Sequence, residues 1–458
     1  MRVWKKYIYK ENIHSGVQMD WVSRNEGEII MVKKSIEAYL EEANGKNIKL
    51  ELEQMAALME ALDWPDEQLK IIHVTGTNGK GSVCEMLSSI LQNGGYKVGV
   101  YSSPYFEKPN ECIQINHEMI SDEVLMMYIN QLKPILEQLE QENLMPSGFE
   151  ILTAIALLYF RDMKVDFVVL EVGLGGRLDA TNIIKKSCLS IITKVAMDHM
   201  NFLGNSLSEI AREKAGIIKS DSLVLTSLQG EQVMNMIKKC CAKQQAELNL
   251  VNFSEIHDVK VTECKTIFTY QKEIYELSVS GKYQAYNASI AISAIQLLRQ
   301  KGLVNLEDKE VKAGLRKISW PGRFEKVKEN PLCFIDGAHN VDGMMALAET
   351  LQQLPRRKTI AIIGILRDKE IEQMLKIISP QIDVFIATKP LNPRAIEAEE
   401  LAEKIKVYAK EVYVEPIIES ALEKALKISY KQDDVQIIGF GSLYMIGYLR
   451  KLLKSRIE

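Results

Sequence analysis

Cysteine is scarce in this chain of 458 residues, and its placement excludes more than its number does. Cys84, Cys112, Cys188, Cys240, Cys241, Cys264 and Cys333 are odd in number and scattered, with no C-x-x-C pair and no histidine partner at metal-ligand spacing. A disulfide framework and a thiolate zinc site are thereby excluded, and the thiols read as reduced and mostly buried. No run reaches the roughly 18 apolar residues of a membrane span. The opening stretch MRVWKKYIYKENIHSG is basic but lacks the apolar core of a secretory leader. No membrane partner is expected, and the expected location is cytoplasmic. Positive charge is not in excess either: the formal net charge is -4. Nucleic acid is therefore not an expected partner, and any anion binding must be local. Solenoid repeats and low-complexity tracts are absent as well.

What remains is a globular composition, 47% hydrophobic and 26% charged, in a chain too long for one ordinary core. Two domains are expected. From Lys70 onward short apolar runs alternate with helical patterns, the rhythm of a parallel sheet covered by helices, so the fold class is α/β. KIIHVTG predicts a strand and SVCEMLSSILQNGG a helix, with Val83, Met86, Leu87, Ile90 and Leu91 on one face and Gly94 and Gly95 as its stop. KVGVYS, VDFVVLEV and CLSIITKV predict further strands, and SLSEIAREKAGIIK a helix whose Ser206 and Glu209 suit a capping box. Residues from about Val259 to Gly281 alternate with the strand period and predict antiparallel hairpins at the domain edge, closed by a helix at NASIAISAIQLLRQKG. KISWPGRFEK then breaks the rhythm with Pro321 and Gly322. A fresh alternation follows in LCFIDG, TIAIIG, VFIATK, VYVE and VQIIGF, which predicts a second, smaller α/β domain with its boundary near Ser319. The opening forty-odd residues carry little readable signal.

Between the first strand and its helix lies Gly76-Thr77-Asn78-Gly79-Lys80-Gly81-Ser82. In that position backbone N–H groups and the helix dipole converge on an anion. Glycines let the backbone approach phosphate, Lys80 can reach the β- and γ-phosphates of ATP, and Ser82 can hold Mg²⁺. The pattern departs from the usual Walker loop: the first glycine is closer to the lysine, and the hydroxyl residue comes two places after it. A turn that merely packs strand on helix would have no use for the lysine and serine.

The residues resemble the Mur ligase superfamily, and within it the folylpolyglutamate and dihydrofolate synthases, from about Leu50 onward. The matching motifs are HVTGTNGKGS, YSSP at Tyr101, FEILTA at Phe149, LEVGLGGRLDATN at Leu170, DHMNFLG at Asp198, AREKAGIIK at Ala211, PGRFE at Pro321, DGAHN at Asp336 and GSLY at Gly441, in the family's order. The resemblance implies a P-loop three-layer α/β/α ATPase domain over 1–318 and a Rossmann-like glutamate-ligase domain over 319–458. It implies ATP, a pair of magnesium ions, L-glutamate, and a folate or dihydropteroate as substrate, with the carboxylate activated as an acyl phosphate. Little covalent work then falls to side chains, and catalysis rests on positioning and charge.

Site roles follow from the same resemblance. Ser82, Glu171 and His199 would be magnesium ligands; from the residues alone Glu171 could equally cap a helix, and His199 could be a structural histidine. Lys214, which reads locally as a mid-helix lysine beside Glu213, matches a lysine carbamylated by CO₂ in the family. Asn287 resembles an adenine-contacting asparagine and Arg323 an arginine that meets the ATP phosphates. Asp336 and His339 would hold the nucleotide from the second domain, with the linker as a hinge. Lys80, Lys214, His199 and Arg323 are the candidate catalytic residues. Lys369 and Arg394 are further candidates for glutamate or nucleotide contacts, and a charged surface face explains them almost as well.

Two places depart from the family. Tyr105 and Phe106 follow SSP where His-Leu is usual, and Glu111-Cys112 replaces Glu-Arg. Both fall in the loop expected near the pterin, so ligand choice is less determined than reaction class. The GGRLDATN form with Asp179 resembles enzymes that also make dihydrofolate. A cell-wall precursor ligase of the same superfamily would need a uridine-binding domain ahead of the loop, and about seventy residues leave little room beside typical domains of about 50 to 200 residues. A non-catalytic ATP-gated module would have no reason to keep Glu171, His199, Lys214, Asp336 and His339 together. A monomer satisfies every motif.

Overall fold

The structure, a computed structural model, describes residues 36–43, 51–430 and 434–455. The basic N-terminal stretch lies outside the described residues. Eight strands make the first sheet: β1 (Ile71–Thr75), β2 (Val98–Tyr101), β3 (Ile113–Ile115), β4 (Glu118–Met119), β5 (Phe167–Glu171), β6 (Leu189–Ile192), β7 (Leu223–Ser227) and β8 (Glu247–Val251). Their order is β4-β3-β2-β5-β1-β6-β7-β8. Six run parallel, and β3 and β4 fold back antiparallel at one edge.

Strand side chains alternate between faces, so each strand serves two cores. Phe167 and Val169 of β5 enter the core that holds the helix Lys80–Asn93, while Val168 and Leu170 enter the core beneath the helix Gly148–Asp162. Apolar residues at consecutive positions are therefore required, which is why these strands read as unbroken hydrophobic runs. The result is a three-layer α/β/α arrangement. Its central strand β1 lies between β5 and β6, so chain connections diverge there and leave a crevice at the carboxyl ends of these strands.

A second sheet holds β12 (Glu325–Lys328), β13 (Leu332–Ile335), β14 (Lys358–Ile363), β15 (Val384–Ala387), β16 (Val412–Val414) and β17 (Val435–Phe440), ordered β12-β13-β17-β14-β15-β16. All pair in parallel except β12. Phe334 and Ile438 point into one core and Cys333 and Ile437 into the other. The second sheet is thus covered on both faces, as the Rossmann-like reading expects.

Two local expectations change. The helix Lys80–Asn93 does not bury one face only: every residue from Gly81 to Leu91 is buried, because the helices Lys282–Gln300 and Asp308–Arg316 cover the side turned away from the sheet. Ser89 escapes an unpaired burial by donating to the Gly314 carbonyl at 2.8 Å. The alternating stretch forms β9 (Ile256–Val261), β10 (Thr266–Tyr270) and β11 (Glu273–Leu277), an antiparallel sheet whose Phe268, Tyr270, Tyr275 and Leu277 share the phosphate-loop core rather than fringing it.

All seven cysteines are free, with Cys84, Cys112, Cys241 and Cys333 buried and Cys264 exposed. Among the described residues no helix is long and apolar enough to cross a membrane.

One buried polar link ties β1 to the loop after β5. His73 bonds through Nε2 to Thr181 Oγ1 at 2.9 Å, while its Nδ1 has no partner among the described residues. Burial, with Lys219 adding to it, pushes the imidazole down from 6.5 to about 3. The folded state thus holds His73 neutral where the unfolded chain protonates it. Its contribution is fully present above about pH 6.5 and is lost as pH falls toward 3, at up to about 1.4 kcal/mol per pH unit. In thermal melts, His73→Asn should flatten the acid limb of the melting temperature between these limits. An unchanged slope would contradict this account.

Candidate active site

The crevice at the ends of β1, β5 and β6 opens into a cleft of about 1270 Å³ between the two sheets. The loop Gly76–Ser82 forms its floor. Gly79 sits at φ +92° as N-cap of the following helix, and a Cβ there would stand 2.5 Å from Asn287 Oδ1. Only glycine fits both the conformation and the approach. The segment after β6 props the loop from behind: Thr77 N donates to the Lys194 carbonyl at 2.7 Å and Thr193 Oγ1 to the Asn78 carbonyl at 2.8 Å. Lys80 Nζ folds back over the loop, donating to the Gly76 and Thr77 carbonyls at 3.0 and 3.3 Å. A cation resting on a glycine-rich loop at the N-terminus of a helix is suited to phosphate.

Ser82, Glu171 and His199 line the same cleft. Glu171 ends β5, and burial raises its carboxyl to about 7 against the pull of Lys80 and Arg323. His199 follows β6 at φ +51°, where its backbone N–H donates to Asp198 Oδ1 at 2.8 Å. Burial lowers its imidazole, with Asp198 opposing that shift. Among the described residues no three His, Cys, Asp or Glu side chains converge tightly enough to hold an ion unaided. One hydroxyl, one carboxylate and one imidazole facing a phosphate cradle nevertheless fit Mg²⁺, which keeps several waters and takes phosphate oxygens.

Lys214 lies in the last turn of the helix Leu207–Ala215, not in its middle, because Gly216 ends the helix. It is buried, and burial followed by the nearby Lys80 holds its amine well below the ordinary lysine value. That direction favours the unprotonated amine, the form that can take up CO₂.

The second sheet supplies the opposite wall. Asp336, just past β13, accepts from Ala338 N through Oδ1 and from Phe324 N through Oδ2, both at 2.8 Å. With both carboxylate oxygens engaged by backbone, it braces the turn that carries Arg323. The approach is close: a Cβ on Gly337 would lie 1.9 Å from an Arg323 guanidinium nitrogen. His339 bonds through Nδ1 to the Gly337 carbonyl at 2.7 Å, which makes Nδ1 the donor and leaves Nε2 as an acceptor. Burial pushes this imidazole down to about 4. Asn287 donates through Nδ2 to Gln284 Oε1 at 3.0 Å, so its Oδ1 is turned toward Gly79.

The structure therefore brings every candidate residue to one cleft, and adds one at its centre. Asp198 Oδ1 takes the Lys369 ammonium at 2.7 Å, both side chains being less than a tenth exposed, and Oδ2 lies 3.8 Å from Nε2 of His199 and of His339. The Lys369 ammonium foremost holds its carboxyl far below the usual range despite burial. The sequence marks Asp198 only as the neighbour of His199. Arg394 also lines the cleft, and its guanidinium lies 3.5 Å from Asp368. The departing loop has a structural account as well. Glu111 accepts from the backbone N–H groups of Phe106, Glu107 and Lys108, and Phe106 packs against Gly322 and Gly447 of the second unit.

Residues 74–295 match the family model for the Mur ligase middle domain, and residues 322–442 that for the Mur ligase glutamate ligase domain. The chain is 36% identical to a Bacillus subtilis dihydrofolate synthase/folylpolyglutamate synthase, over 89% of this chain and 96% of that protein. A Lacticaseibacillus casei folylpolyglutamate synthase is 33% identical, over 87% of this chain and 94% of that protein. Among solved structures, a Mycobacterium tuberculosis folylpolyglutamate synthase complexed with ADP superposes with a TM-score of 0.86 at 29% identity, covering 93% of this chain and 98% of that one.

Proposed function

Because the chain belongs to the folylpolyglutamate synthase and dihydrofolate synthase family of Mur ligases, we propose that its cleft binds ATP over Gly76–Ser82 and passes the γ-phosphoryl group to a folate carboxylate. The protein is an ATP-dependent ligase that joins L-glutamate to folates. The observation that carries the site assignment is the convergence on one cleft of Lys80 from the first sheet with Arg323 and His339 from the second.

A carboxylate oxygen attacks the γ-phosphorus and ADP leaves, giving an acyl phosphate. The glutamate amine then attacks the acyl carbon, the C–O bond to phosphate breaks, and the amine gives up a proton. Lys80 exchanges the Gly76 and Thr77 carbonyls for phosphate oxygens, and Arg323 offers a planar fork to the same group. The free Nε2 of His339 can accept a hydrogen bond from the incoming amine. Magnesium, held by Ser82, Glu171 and His199 with water and phosphate oxygens, would neutralise charge on the transferred group. Carbamylated Lys214 would supply an anion for a second ion.

Residues 1–318 and 319–458 serve as ATPase and ligase domains in this reading; Ile318 packs in the first core and Phe324 in the second. The cytoplasm, where reduced thiols persist, is the proposed location. The test is ADP release with ATP, magnesium and glutamate, supplying tetrahydrofolate or dihydropteroate as acceptor. Release with both is expected, since the B. subtilis relative is named for both activities and GGRLDATN is retained. Silence with both, while ATP still binds, would overturn the folate assignment.

A further inference from the structure

A chain of polar contacts crosses the seam between the two sheets beside the phosphate loop. Asp342, in the first turn of the helix Val341–Gln353, accepts from Asn78 Nδ2 at 2.8 Å through Oδ2 and pairs with the Lys194 ammonium through Oδ1. Asn340 joins this contact to the next, donating to Asn78 Oδ1 at 3.2 Å and to Asp198 Oδ2 at 2.9 Å. Lys369 closes the line on Asp198. Asn78 belongs to the phosphate loop, and Lys194 holds that loop's backbone through its carbonyl. One carboxylate of the second unit thus grips the loop twice.

We propose that Asp342 is a positioning residue for ligation: it seats the second domain on the phosphate loop and so aligns the groups of that domain with the acyl phosphate. The proposal rests on the ligase reading. Asp342 and Lys194 lie outside the matching motifs, though both line the cleft. The pair is open to solvent on one side, with Lys194 62% and Asp342 19% exposed, so its loss should cost little stability. Its effect should therefore fall on turnover.

The test uses Asp342→Ala, Asp342→Asn, Asp342→Lys, Lys194→Asp and the reversed pair Lys194→Asp/Asp342→Lys in the full chain. Asp342→Ala should lower kcat about tenfold, as expected when reacting groups are misplaced, with affinity for a fluorescent ATP analogue and the melting temperature unchanged. Asp342→Asn keeps an acceptor for Asn78 and should recover much of the rate. The reversed pair should outperform the product of its single losses, the mark of a direct interaction. Unchanged kcat in Asp342→Ala, or losses that simply multiply in the reversed pair, would overturn the proposal. Failure of the ligase reading is distinguishable, because the unsubstituted enzyme would then release no ADP with either acceptor.

Discussion

Lys80→Ala is expected to lower folate-dependent ADP release by about a thousandfold or more, the scale on which a cation at a transferring phosphoryl group acts. In the structure the ammonium spans the cradle, bonded among the described residues to the Gly76 and Thr77 carbonyls. ATP phosphates can replace these hydrogen-bond acceptors. The same cation pulls Glu171 toward ionisation and Lys214 toward neutrality, so its loss also shifts both neighbours. Steady-state assay beside a melting curve separates this from misfolding: the variant should melt near the parent. A variant that keeps most of its turnover would remove Lys80 from the chemistry.

The second large effect concerns Lys214. Lys214→Met preserves length and suits the buried site but cannot add CO₂. Activity should drop by about a hundredfold or more if an anion at this position helps place metal at the phosphoryl group. Carbamate formation joins the amine nitrogen to the CO₂ carbon with loss of a proton, and it requires the unprotonated amine that burial and Lys80 favour here. Carbon NMR of the enzyme in labelled bicarbonate should show a carbamate resonance that Lys214→Met lacks, and CO₂-depleted buffer should slow the parent enzyme. Activity indifferent to CO₂, with no such resonance, would leave Lys214 as a buried packing residue.

Much of this was legible in contiguous residues. The turn from β1 into the helix Lys80–Asn93 needs Gly79 at φ +92°, and a glycine-rich stretch between strand and helix patterns announces such a turn locally. Glu171 ends an unbroken apolar strand, so its arrival at the sheet's carboxyl edge follows from period and length alone. The Ser206 and Glu209 cap is equally local, with Glu209 N donating to Ser206 Oγ at 3.2 Å. The burial of Lys214 was not legible. Its helix turn looks solvated, and it is buried because the loop through Gly176 and Arg177 closes over it, with Arg177 N donating to the Glu213 carbonyl at 2.7 Å. Glu111 reads in sequence only as part of the loop expected near the pterin, whereas in the fold it organises that loop through backbone donors.

By itself the sequence determined the α/β class, the phosphate loop, the strand end that carries Glu171, and the family. Each depends on φ preference, side-chain period or motif order within a short stretch, and these are settled by neighbours in the chain. Tertiary structure alone decided that Asp198 meets Lys369 and that Asp342 meets Asn78 and Lys194. Those contacts join residues far apart in the chain, and their geometry depends on how two sheets, each buried on both faces, come to rest against one another. No local period encodes that placement, because a charged residue looks the same in sequence whether its partner is water or a carboxylate across a seam.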